Sequence, residues 1–175
     1  MQVEVNVQDC FSKTSQPVTN DHSCFSGFIP ASTWETWFNQ WLEKLQPNIE
    51  LAQTYEVSLR FTDDLEIQSL NAQYRQQNRP TDVLAFASLE VNCPQLPAHL
   101  RLSMPLYLGD IVISVETAQR QAQQQRHSLE TELAWLTTHG LLHLLGWDHP
   151  DQDSLIRMLN QQKALLEIIN LNTKA

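Results

Sequence analysis

Two histidines four residues apart, His139 and His143, lie in a stretch where most neighbours are apolar, and a third, His149, follows a glycine at position 146. Positions i and i+4 share one face of a helix, so the first two imidazoles stack one turn apart. Gly146 supplies the stop that turns the chain and lets His149 swing back towards the pair. Leu129, Leu133 and Leu136 form a core stripe on the same helix, and Leu141, Leu142, Leu144 and Leu145 make its last turns apolar almost all round. Such a helix is buried on most sides. A buried polar side chain without a partner costs about 1–3 kcal/mol. Either His139 and His143 find hydrogen bonds or they hold a metal ion.

The third histidine favours the metal. Three neutral imidazoles on one side of a divalent ion leave a coordination position open for water, the arrangement of a catalytic zinc centre rather than a closed structural one. The spacing is that of the long zinc-protease motif H-E-x-x-H-x-x-G-x-x-H, except that Gly140 stands where that motif carries its glutamate base. The ligands are present and the protease's base is absent. The remaining histidines, His22, His99 and His127, have no comparable neighbours and read as surface residues.

Length and composition set the frame. A chain of 175 residues, 42% hydrophobic and 18% charged, reads as one domain over 1–175, with a loop-rich arm over 1–30. No apolar run reaches membrane-spanning length and the first residues form no signal segment, so a cytoplasmic protein is expected. Cys10, Cys24 and Cys93 are far apart and odd in number, which suggests reduced thiols and no zinc ribbon. A net charge of −9 argues against a nonspecific nucleic-acid binder. It leaves room for a nuclease that grips one phosphate with a metal and a few arginines while a larger partner delivers the substrate.

Periodicity predicts an α/β sandwich in the α+β sense: a small mixed sheet with helices around and after it. Val3, Val5 and Val7 alternate as a short strand, and residues from about Gln8 to Pro30 read as a loop. Pro30, with Ser32 or Thr33 as N-cap, opens a helix whose stripe of Trp34, Trp37, Phe38, Trp41 and Leu45 is read as core. Glu56 to Phe61 alternates as a strand with one wet face. Thr62 or Asp63 then caps a helix carrying Leu65, Ile67, Leu70 and Tyr74. Val83 to Ala87 is a third strand, Val91 to Pro105 a loop, and Tyr107 to Ile113 a fourth strand. Helices over about 115–126, 128–145 and 151–170 complete the chain.

Other polar residues carry two readings each. Asp148 is either a carboxylate orienting a ligand imidazole or a turn residue, with the turn favoured. Asp151 and Asp153 read as caps of the last helix. Glu132, seven residues before His139, could reach the site but reads better as an ordinary helix charge. Arg75 and Arg79 each offer a guanidinium fork matched to phosphate oxygens, against the plain reading of solvated loop arginines. Gly109-Asp110 marks a bulge, a close backbone approach or a placed carboxylate.

The run from His139 to His149 matches H-G-x-L-H-L-x-G-x-D-H at every fixed position. With Leu70-Asn71, Tyr74-Arg75, Arg79-Pro80-Thr81-Asp82-Val83-Leu84, Phe86, Gly109-Asp110-Ile111 and Ile113, it resembles the YbeY family over roughly residues 31–170. These are bacterial single-strand-specific endoribonucleases of ribosomal RNA maturation, including the 16S 3′ end, and of late ribosome quality control. The resemblance implies a zincin-like arrangement with one zinc ion per chain on His139, His143 and His149, and Arg75 beside it on the scissile phosphate. It implies these four as the catalytic residues. Ribosomal RNA or a ribosomal subunit is the implied partner, with a ribosomal protein or GTPase beside it, and neither DNA nor membrane. Three departures bear on substrate preference: the arm before residue 31 with the 91–105 loop, Ala85-Phe86-Ala87 where Ser-Phe-Pro is common, and Trp147 where tyrosine is usual.

The implied chemistry is phosphodiester cleavage by zinc-activated water or by the substrate 2′-OH. Without a glutamate at 140 the base is hydroxide, a carboxylate from elsewhere, or the substrate. A metallopeptidase-like hydrolase is the rival enzyme, for which Gly140→Glu should raise peptide hydrolysis. A non-catalytic assembly factor with a structural metal is the rival without chemistry, for which His139→Ala should unfold the domain.

Overall fold

The computed structural model describes residues 2–11, 29–49, 52–89, 97–101 and 103–173. His22, Cys24, Cys93, most of the arm and much of the 91–105 loop lie outside the described residues.

Four strands form one mixed sheet: β1 (Gln2–Asp9), β2 (Thr54–Thr62), β3 (Val83–Ala87) and β4 (Leu106–Ser114). Their spatial order is β1-β2-β4-β3, with β1, β2 and β4 parallel and β3 antiparallel at the edge of β4. Around them lie α1 (Ala31–Leu45), α2 (Asp64–Arg75), the short α3 (Ala98–Arg101), α4 (Val115–Gln125), α5 (Leu129–Leu144) and α6 (Gln152–Ile168). The expected architecture is therefore found, with α3 as a turn of helix inside the segment read as loop.

Strand alternation divides the sheet into two faces. Val3, Val5, Tyr55, Val57, Leu59, Phe61, Leu108, Ile111 and Ile113 form the main core with α1, α5 and α6. The aromatic stripe of α1 is core, as expected: Trp34, Phe38 and Trp41 are fully buried. Trp41 donates its indole N–H to the Leu165 carbonyl at 3.0 Å, tying α1 to α6. On the opposite face Ile67 of α2 packs with Leu84 and Val112 in a second, smaller core.

Three local expectations are corrected. The N-cap of α1 is Pro30, with no side-chain cap bond, and Ser32 and Thr33 are inside the helix. Proline's fixed φ starts the helix without needing a capping hydroxyl. The polar face of β2 is not open: Ser58 is buried, and Arg60 pairs with Glu66 of α2 and with Gln8 at 3.3 Å. An interior strand has neighbours on both sides, so its polar side chains are partly enclosed. Leu65 is 78% exposed and Tyr74 is 60% exposed, because α2 turns only its Ile67 and Asn71 side fully inward.

Helix α2 is fixed at both ends, which matters because Arg75 closes it. Asp63 caps it by accepting the Glu66 N–H at 2.8 Å. Asp64 accepts from the Ser114 and Thr117 hydroxyls, both at 2.6 Å, and from Arg120 at 2.7 Å. Burial alone would raise the Asp64 carboxyl, but these partners together hold it below the usual range. At the other end the buried Asn71 amide donates to the Arg79 carbonyl at 2.9 Å, fixing the turn into β3.

Candidate metal centre

Helix α5 lies against β4 because two glycines permit it. A Cβ at Gly140 would stand 2.8 Å from Cγ2 of Ile111. Gly109 has φ 138°, and a Cβ there would meet the Phe86 carbonyl oxygen at 2.1 Å and the Leu144 side chain at 2.9 Å. The β2–β4 register shifts at Glu56/Val57, opposite this glycine, so Gly109 is both bulge and close approach. Asp110 follows on the opposite face of the strand from Ile111, away from α5, and bonds the Tyr107 hydroxyl. Burial first, then Asp110, pushes that hydroxyl up to about 12.

The end of α5 builds the histidine cluster. Gly146, at φ 89°, donates its N–H to the His143 carbonyl at 3.0 Å, and the Trp147 N–H reaches the Leu142 carbonyl at 2.9 Å. This paired closure satisfies the last carbonyls of the helix and reverses the chain. Asp148 then accepts the backbone N–H of His149 at 2.8 Å, the turn role favoured for it. Asp151 opens α6 in a reciprocal capping box with Ser154, as expected of a cap.

The result brings His139, His143 and His149 together. One ring nitrogen from each lies within 4.8 Å of the other two, and all three side chains are half-buried. The His139 and His143 Nε2 atoms are 3.1 Å apart. Two nitrogens each about 2.0–2.1 Å from one tetrahedral zinc ion would stand about 3.3 Å apart. The donor set fits a divalent ion.

The electrostatics favour the neutral form of His139 and His143. Burial holds His139 below the usual imidazole range, helped by His149 and Arg75 and opposed by Gln162 and Asp82. His143 is pushed down to about 4, by burial first and then by its two histidine neighbours and Arg75, against a hydrogen bond to the Trp147 backbone. Neutral imidazole is the form that binds metal.

The two arginines weighed alike in sequence now part. Arg75, exposed at the end of α2, is near enough for its charge to act on both His139 and His143. Arg79 turns its guanidinium to the Gln77 side-chain oxygen at 3.0 and 3.2 Å.

Two expectations are overturned at the other end of α5. His127 is not a surface residue, and Glu132 is not an ordinary helix charge: their side chains are 6% and 4% exposed and pair with each other. Burial raises the Glu132 carboxyl above its usual range, with His127 opposing. His99 is exposed, as expected. Position 140 also takes a new meaning. It faces Ile111 in the core, so glutamate there would be driven into the sheet instead of towards the histidines. The peptidase reading loses the residue on which it was to be tested.

Sequence reading did not single out Gln162 of α6, whose buried Oε1 lies 3.2 Å from His139 Nδ1. Its signal was present: it continues the helical spacing of Met158, Leu165 and Leu166, an amide at a core position.

Comparison with known proteins agrees with this geometry. A family model described as Endoribonuclease YbeY matches residues 21–170. The Endoribonuclease YbeY of Nostoc sp. is 59% identical over 172 residues, covering 98% of this chain and 92% of that protein. That of Trichormus variabilis is 58% identical over 171 residues, covering 98% and 96%. A Thermotoga maritima protein solved in solution superposes with a TM-score of 0.51 at 23% identity, over 94% of this chain and 88% of that one.

Proposed function

Because this chain belongs to the YbeY family, we propose that it is a metal-dependent endoribonuclease cutting single-stranded segments of ribosomal RNA during late maturation and quality control. The observation that carries the metal reading is the convergence of three imidazoles, from the last turns of α5 and the segment after Gly146, on one point. His139, His143 and His149 hold the ion, with zinc the natural occupant of a three-imidazole site. When bound, such an ion supplies Lewis acidity and lowers the pKa of water towards about 7.

The chain's own groups do the rest. Arg75 binds the scissile phosphodiester, its guanidinium fork matched to two phosphate oxygens. Its charge, fixed in place by the anchored α2, offsets the negative charge that grows on phosphorus oxygens in the transition state. The core-facing Gly140 supplies no base, so the proton of the attacking water or RNA 2′-OH goes to hydroxide, to a more distant carboxylate or to a group of the substrate itself. The acidic surface, net −9, suits a basic protein partner such as a ribosomal protein, which carries the enzyme to its RNA in the cytoplasm.

The test is cleavage of a single-stranded ribosomal RNA segment by protein stripped with chelator, then reloaded with zinc. Activity should vanish and return, and His143→Ala should not regain it. End-group analysis then distinguishes the routes, since 2′-OH attack leaves a 2′,3′-cyclic phosphate. Equal cutting by wild type and His143→Ala would assign the activity to a contaminant.

A further inference from the structure

Gln162 is fully buried in α6, and both ends of its amide are used. Its Nε2 donates to the Trp135 carbonyl at 3.2 Å, and its Oε1 faces His139 Nδ1 at 3.2 Å. The Trp135 carbonyl, which also accepts the Thr138 hydroxyl at 2.8 Å, can only accept. Flipping the amide would set two acceptor oxygens against each other, so one orientation is selected. With Oε1 facing the ring, Nδ1 must carry the proton. The lone pair of His139 is then on Nε2, the atom turned to His143 at 3.1 Å.

We propose that Gln162 is a positioning residue of the metal centre, fixing His139 in the tautomer and ring orientation that present Nε2 to the ion. The inference rests on the metal reading above. A ligand histidine held by an outer partner loses less freedom on binding, and such partners typically alter metal affinity by about 10–100-fold. The carbonyl of Trp135 sits one turn before His139 on the same helix, so the ligand and the group orienting its partner move together. Through Gln162, α6 becomes part of the site although it contributes no ligand.

The test compares wild type with Gln162→Met, which keeps the shape without the bonds, and Gln162→Glu, which keeps an acceptor towards Nδ1. Zinc affinity is measured by competition with a chromogenic chelator, and the tautomer of His139 by imidazole nitrogen NMR of metal-free protein at pH about 8, where the ring is neutral. Gln162→Met should bind zinc about 10–100-fold more weakly and lose its Nδ1–H preference, while Gln162→Glu, which loses the donor to the Trp135 carbonyl but keeps the acceptor at the ring, retains that preference. Wild-type affinity and tautomer in Gln162→Met, or loss of the preference in both variants, would overturn the proposal. Zinc binding absent from wild type itself overturns the metal reading instead, and the tautomer measurement tells the two failures apart.

Discussion

At the first turn of α5 the buried Glu132 faces His127, and towards its last turn His139 and His143 face each other and His149. Both sites place imidazole in a largely apolar setting. The first answers it with a carboxylate five residues along the chain, and the ring's Nδ1 is buried with no hydrogen-bond partner among the described residues. Among the described residues the second has only imidazoles as candidate ligands, with an amide behind one and a guanidinium nearby. Paired opposites stabilise a charge, whereas like neighbours suppress it and leave lone pairs unspent. One helix thus carries a structural polar pair and an ion-ready cluster, and the difference is the partner, not the burial.

The contrast can be broken most severely at the cluster. Replacing His143 with alanine should lower RNA cleavage by more than about a hundredfold, since even an outer-shell partner of a ligand is worth about 10–100-fold. Metal content by elemental analysis should fall with it, while the metal-free fold melts close to wild type. Unfolding instead would favour a structural metal. Arg75→Glu should reduce cleavage by about 10²–10³-fold, the scale of losing one transition-state donor, with bound zinc unchanged.

The structural pair should respond in the opposite way. His127→Ala leaves a buried carboxyl without its partner and should cost about 1–3 kcal/mol in denaturant unfolding, with zinc stoichiometry intact. Loss of zinc from this variant would show that the two ends of α5 are coupled. The smallest expected effect is in pH dependence. His139 and His143 have folded-state values below the unfolded one, so the folded chain binds fewer protons. Metal-free stability should therefore fall as pH drops from about 6.5 towards 4 and be level above that range. His143→Ala should flatten that slope in a melting series, and an unchanged slope would place its origin elsewhere.

Much of this was legible in sequence because it is local. Helical spacing put His139 and His143 on one face, Gly146 announced the reversal, and the alternations of β1 to β4 located the sheet. What escaped required knowing which element lies opposite. His127 and Glu132 looked like unrelated charges five residues apart, and residue chemistry alone did not part Arg75 from Arg79, although the family resemblance did. Gly140 looked like a missing base until Ile111 was found against it.

The chain's order alone determined the histidine trio and the helix that carries two of its members, because residue spacing on one helix and its stop fixes direction without help from distant segments. Tertiary packing decided that Arg79 turns to Gln77, why position 140 must stay bare, and that an amide from α6 stands behind His139. Those are contacts between segments far apart along the chain, set by how helices rest on a sheet, and one-dimensional order does not encode that distance.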